Sequence, residues 1–313
     1  MLSSRPRKRG VNETMTMPPT HQVPAIHHRR VGDIVLTVVS DGFLDGSMAV
    51  LQNISVEESS EMLRSVFRPV PRRTSLNCFI IHGPGGRVAL IDTGAGTHMQ
   101  KSSGQLMRNL DAAGIAPGAI DTILMTHLHP DHSNGLATAD WNAAFPQAEL
   151  AMHEAEHAYW TSAEAEAEVM RSGQGLPTGG PYFPMAQRQI APYADRMRLF
   201  KGGAEVFPGV TAMHFPGHTP GHCGYLIASG GQSLLIWGDI VHLPEVQVPR
   251  PEVTILFDVD PPQAAVTRRR VFDMVATEKT HIAGMHLHFP ATAHLGREGN
   301  GYRLFPEAWE QTL

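Results

Sequence analysis

Thr126-His127-Leu128-His129-Pro130-Asp131-His132-Ser133-Asn134-Gly135 packs three imidazoles and one carboxylate into six consecutive residues. The stretch follows the apolar run Ile123-Leu124-Met125, which reads as a short buried strand. Side chains leaving the carboxyl end of a strand stand in a crevice on a rigid base. Alternation along the chain lets His127 and His129 point the same way, and a turn at Pro130 swings Asp131 and His132 towards a second, adjacent position. Imidazole nitrogen with carboxylate oxygen is a donor set for zinc and similar divalent metals. A histidine-rich surface loop is the alternative. Four ligand-type residues this close, framed by proline and glycine, argue against it.

Composition narrows the class. With 313 residues and 42% hydrophobic content the chain has material for a substantial core, and its formal net charge of −5 gives no basic footprint for nucleic acid. Cys78 and Cys223 lie far apart in apolar, strand-like context and fit buried thiols, with one disulfide between them as the alternative. No apolar stretch reaches the length of a transmembrane helix, and no apolar segment follows the basic residues near the amino terminus. A cytoplasmic protein without membrane contact is therefore expected. Residues 1–30, rich in Pro, Arg, Thr and His, read as a disordered extension, and residues 31–313 as one domain.

Along that domain, Asp33–Ser40 reads as a strand and Val56–Arg68 as a helix ended by Pro69 and Pro71. Arg68, Arg72 and Arg73 gather just after it, where they are solvated charges or overhang the site. Leu76–His82 and Arg87–Asp92 form a hairpin around Gly83-Pro84-Gly85-Gly86. Gly104–Ala113 is a helix with Leu106, Met107 and Leu110 inward. Glu154–Arg171, rich in Ala and Glu, reads as an exposed helix, and His153 with His157 on it as a chance spacing. Gly173–Pro184 is a loop whose Tyr182 and Phe183, with Trp160, roof an apolar pocket or pack in the core. Pro261–Thr277 is a helix started by Asp260-Pro261-Pro262.

The metal stretch resembles the H-x-H-x-D-H signature of the metallo-β-lactamase superfamily. Later segments extend the likeness from about Val31 to Phe305: Leu90-Ile91-Asp92-Thr93-Gly94, Gly217-His218-Thr219-Pro220-Gly221-His222, Gly238-Asp239 after Ser233-Leu234-Leu235-Ile236-Trp237, and Met285-His286-Leu287-His288-Phe289-Pro290. The resemblance implies an α/β protein with the αββα sandwich: two mixed sheets face to face with helices outside. It implies one metal position at His127, His129 and His218, another at Asp131, His132 and His286, and Asp239 bridging them. Asp92 and His222 would support these ligands from behind. Both His286 and His288 suit the last ligand by geometry. The family's tail, with Phe289-Pro290 three residues on, selects His286. Two divalent ions, zinc foremost with iron, manganese or cobalt as alternatives, would lower the pKa of a shared water and polarise a carbonyl or phosphoryl oxygen.

Within the superfamily, Trp237-Gly238-Asp239-Ile240-Val241-His242, Val246-Gln247-Val248-Pro249, Phe257-Asp258-Val259-Asp260 and the tail Gly301-Tyr302-Arg303 are similar to the methyl parathion hydrolase branch. That branch holds organophosphate hydrolases and closely related lactone and aryl-ester hydrolases, often dimeric, so a homodimer is implied. His242 stands where acyl-homoserine lactonases usually place a tyrosine, and a donor there would serve the substrate carbonyl or the leaving alkoxide. The expected catalytic groups are Asp131, Asp239 and His242. The expected pocket wall is Trp160, Phe183, His242, Ile255 and Phe257. Opening of lactones or aryl esters, with organophosphate triesters as a side activity, is the leading expectation. A dedicated triesterase is second. A redox member would need a carboxylate replacing a histidine ligand and a flavin domain, and a non-catalytic metal-binding protein would have lost ligands; this chain shows neither.

Overall fold

The computed structural model describes residues 18–172 and 181–313. Two seven-stranded sheets carry the molecule, and in each the strands lie side by side in chain order. The first runs Ile26–Val31, Ile34–Gly46, Arg72–His82, Val88–Ile91, Thr122–Leu124, Glu149–His153 and Met197–Phe200. Its early pairings are antiparallel and those from Val88–Ile91 onward are parallel. The second runs Glu205–Phe207, Val210–His214, Cys223–Ser229, Gln232–Ile236, His281–Ala283, Thr292–Glu298 and Gly301–Pro306. Only its pairing of Gln232–Ile236 with His281–Ala283 is parallel, and the helix Pro261–Glu278 makes that crossover.

Period-two alternation assigns each strand two apolar faces. Val38, Phe79, Ile81 and Ile91 turn inward against Tyr225, Ile227, Leu234 and Ile236 of the second sheet. Their neighbours Val39, Cys78, Ile80 and Leu90 turn outward under Leu106, Leu110, Trp160, Phe183 and Ile190. On the far side Val271, Phe272 and Val275 of Pro261–Glu278 close the second sheet. Each such aliphatic or aromatic side chain contributes about 2 kcal/mol on burial. The expected αββα sandwich is what the chain forms. Cys78 and Cys223 are buried free thiols.

Several local expectations change. Ile26–Val31, inside the segment read as extension, is an edge strand paired with Ile34–Val39 through a turn at Gly32. The helix Val56–Ser65 stops short of Arg68. Phe67 adopts φ 60°, its N–H donates to Arg64 O and the Arg68 N–H to Leu63 O, a left-handed cap closing the last turn. In Leu106–Ala112, Leu106 and Leu110 take the inner face, so Met107 points out at 43% exposure. The long exposed helix is two, Glu154–Trp160 and Ala163–Ser172, with Glu156 and Trp160 buried. Residues 173–180 of the expected loop lie outside the described residues, and Tyr182–Ile190 is helical. A bulge at Ser40/Gly42 points the buried Asp41 carboxylate at three backbone donors, Ala95, Gly104 and Leu106.

Candidate metal centre

The metal stretch leaves the first sheet where Thr122–Leu124 ends. Asp92, at the end of the adjacent strand, fixes it. Its Oδ1 accepts from the Thr126 N–H at 2.8 Å, and its Oδ2 from Thr126 Oγ1 and His132 Nδ1, both at 2.7 Å. His129 then starts the short helix Pro130–Ser133, which carries Asp131 and His132. Loops leaving three strands of the second sheet bring His218, Asp239 and His286 to the same place.

Three ring nitrogens converge at the first position. His127 Nε2 lies 3.0 Å from His129 Nδ1, which lies 2.8 Å from His218 Nε2. Burial, then the neighbouring imidazoles, pushes all three well below the ordinary histidine range, so they present lone pairs. Asp131, His132 and His286 make the second group. Asp239 Oδ2 stands between, 3.0 Å from His286 Nε2, 3.2 Å from His132 Nε2, 3.5 Å from His218 Nε2 and 3.7 Å from His127 Nε2. Burial opposes the Asp239 charge, but these imidazoles outweigh it and hold the carboxyl well below the usual range.

Three of the rings are held from behind by their far nitrogen, while His129 Nε2 is buried without a hydrogen-bond partner. His132 Nδ1 donates to Asp92, His218 Nδ1 to Asp258 Oδ1 at 2.7 Å, and His286 Nδ1 to Ser75 O at 2.9 Å. Fixing those three tautomers aims the Nε2 of His132, His218 and His286 inward as a donor to a cation, whereas His129 turns its Nδ1 inward. His132 Nε2 and Asp239 Oδ1 are buried without a hydrogen-bond partner. Such orphaned atoms are costly unless something cationic satisfies them, so the residues present fit divalent metal. His222 does not join them. Its Nε2 accepts the Asp239 N–H at 2.8 Å and its Nδ1 donates to Phe215 O, which locks the turn bearing Asp239. Gly238, at φ 62°, makes that contact possible, since a Cβ there would fall 2.4 Å from His222 Nε2. His288, the other candidate last ligand, is turned away to Glu245 Oε1.

Beside these groups opens a cavity of about 270 Å³ lined by Leu44, Val50, Met99, Tyr182 and Phe257. Of the expected wall, His242 and Phe257 are on it. Trp160, Phe183 and Ile255 are not. Trp160 and Phe183 pack in the core outside the first sheet, and Ile255 packs under Leu243 and Val246. His242 is buried, 3.1 Å by Nε2 from Asp239 Oδ2, with its ring stacked 5.3 Å from His286 and neither nitrogen hydrogen-bonded.

Two supporting carboxylates were not anticipated. Asp258 holds His218. Glu156 accepts from the Leu128 N–H, Trp160 Nε1, Thr219 Oγ1 and the Gly221 N–H, tying the His127–His129 loop to the His218 loop. An acid four residues before a tryptophan on one helical face was the available signal for Glu156.

Residues 71–286 match the family description metallo-beta-lactamase superfamily. The chain belongs to this superfamily. An N-acyl homoserine lactonase from Bacillus sp. is 28% identical over 123 residues, 39% of each protein, so the chain spans well under half of that relative's length. A solved superfamily hydrolase, AbOPH, is 31% identical with a TM-score of 0.85, covering 93% of this chain and 100% of that one. AidC, a dizinc quorum-quenching lactonase solved with N-hexanoyl-L-homoserine, shares the fold at 21% identity, with a TM-score of 0.85 over 92% of this chain and 99% of its own. No helix among the described residues is long and apolar enough to cross a membrane.

Proposed function

We propose that this metallo-beta-lactamase superfamily hydrolase opens lactones or aryl esters, with organophosphate triesters as a side activity. The observation that carries the reading is His242, a buried imidazole on the cavity wall with neither nitrogen hydrogen-bonded and its Nε2 3.1 Å from Asp239 Oδ2. A hydrogen-bonding group there suits a carbonyl oxygen or a leaving alkoxide, whereas a dedicated triesterase would gain most from an apolar residue at position 242.

In this reading His127, His129 and His218 hold one divalent ion, and Asp131, His132 and His286 a second, with Asp239 shared. Zinc is the first candidate. Bound there, the ions supply Lewis acidity towards the ester carbonyl and acidify water. The chain's own residues do the rest. Asp131 and Asp239 place negative charge where those ions sit. His242 donates to the oxygen that gains charge as the ring or ester opens. Phe257, Tyr182 and Met99 keep bulk water from the apolar part of the substrate. A volume of about 270 Å³ suits a small substrate, an aromatic lactone or a short acyl chain.

The test is a parallel rate comparison on dihydrocoumarin, an acyl-homoserine lactone and methyl paraoxon. Lactone turnover ahead of the triester supports the proposal. A triester faster by orders of magnitude makes the protein a phosphotriesterase, and full activity after exhaustive chelation overturns the metal reading.

A further inference from the structure

Besides the candidate metal ligands, the cavity lining carries a buried cation that the proposed chemistry does not use. Arg72 opens the strand Arg72–His82, faces Gly46 across the sheet, and is 7% exposed. It is the only lysine or arginine among the described residues lining the cavity. Its Nε donates to Ser47 O at 3.3 Å and its Nη1 to Thr74 Oγ1, both uncharged acceptors. The carboxylate next to its cross-strand partner Gly46 is engaged elsewhere, because Asp45 is gripped by Arg73 through two hydrogen bonds of 2.8 and 2.9 Å. Asp131 also acts on the Arg72 charge, but Asp131 belongs to the candidate metal ligands. Gly46 keeps room beside the guanidinium: a Cβ there would lie 2.9 Å from Arg72 Nη2.

A guanidinium buried against neutral acceptors, with one edge turned to a cavity, is a costly arrangement unless an anion completes it. Its planar fork matches a carboxylate in two-point contact, and its weak hydration suits a half-dry site. We propose that Arg72 makes the cavity selective for substrates bearing a carboxylate, bound at the Nη2 edge while the ester or lactone bond lies over the metal ligands. The identity of the bond rests on the proposed function; the anion recognition is a separate matter of binding.

Binding without turnover tests it. The intact, metal-replete protein is titrated calorimetrically with 4-phenylbutyrate and with its neutral isostere 4-phenylbutyramide. The carboxylate is expected to bind at least about tenfold more tightly, and Arg72→Met to remove that advantage while the amide binds as before. Arg72→Lys should restore part of it, since a point charge lacks the fork. Should Arg72→Met fail to fold, Gly46→Ala crowds the guanidinium from the opposite strand and should shrink the advantage at least about threefold. A carboxylate advantage that survives both Arg72→Met and Gly46→Ala would mean the ligand is held by the metal site, and overturns the proposal. Equal affinity for acid and amide in the unaltered protein does so too. If no lactone or ester is hydrolysed but the affinity difference stands, the reaction assignment fails and the anion site remains.

Discussion

His218 Nδ1 donates a 2.7 Å hydrogen bond to Asp258 Oδ1, a buried carboxylate forty residues away in the chain. That bond fixes the tautomer leaving His218 Nε2 to face His129. Replacing Asp258 by alanine releases the ring. The expected result is a loss of about 10–100-fold in cation affinity at the His127, His129 and His218 position. Titration against a competing chelator reads this directly, and unchanged affinity would make Asp258 a packing residue.

Glu156 offers acceptors to four donors drawn from three segments. Glutamine puts an amide donor where one pair of donors now points. The expected cost is about 2 kcal/mol of stability, seen as a lower urea midpoint with unchanged slope. Equal stability of Glu156→Gln would show that the loop junction relaxes without it.

Phe67 ends a helix in the left-handed conformation that glycine adopts without strain, and its ring is 96% exposed. Little burial is lost on removing it. Phe67→Gly should therefore raise stability by about 1 kcal/mol, visible as a higher Tm. A lower Tm that depends on protein concentration would instead reveal the ring as part of a contact between two copies.

Asp41 sets a pH dependence. Burial pushes its carboxyl up to about 6 from an ordinary 3.8, against the pull of its three backbone donors. In the window between those values the folded state holds a proton that the unfolded chain has lost. Its contribution is fully present below the lower value and is lost as pH rises through the higher one. Measured against Asp41→Asn, which does not titrate, the unaltered protein should lose about 2 kcal/mol of relative stability between pH 4 and pH 7. A flat difference would mean that the carboxyl titrates as a free one.

The candidate metal ligands stood out because their chemistry is written in residue types at short spacing: His127, His129, Asp131 and His132 occupy one turn. The sheets were legible because alternating apolar faces leave a period-two trace. Glu156 and Asp258 left no comparable trace, since each matters through a loop that only tertiary folding brings near. Trp160, Phe183 and Ile255 were placed on the pocket wall because apolar side chains look alike whether they face a cavity or a core. The strand at Ile26 was hidden by the polar, proline-rich residues before it. The cap at Phe67 was hidden because an aromatic residue is not the usual occupant of that backbone geometry.

The seven candidate ligands divide between the sheets. His127, His129, Asp131 and His132 leave the first, and His218, Asp239 and His286 leave the second. Neither half of the chain owns a complete set. An ion in this centre is therefore also a rivet, and its grip reports whether the two layers stand in register. Any cut or loosening between residues 153 and 205 would be felt as lost metal before lost strands, and added cation would draw the separated layers back together.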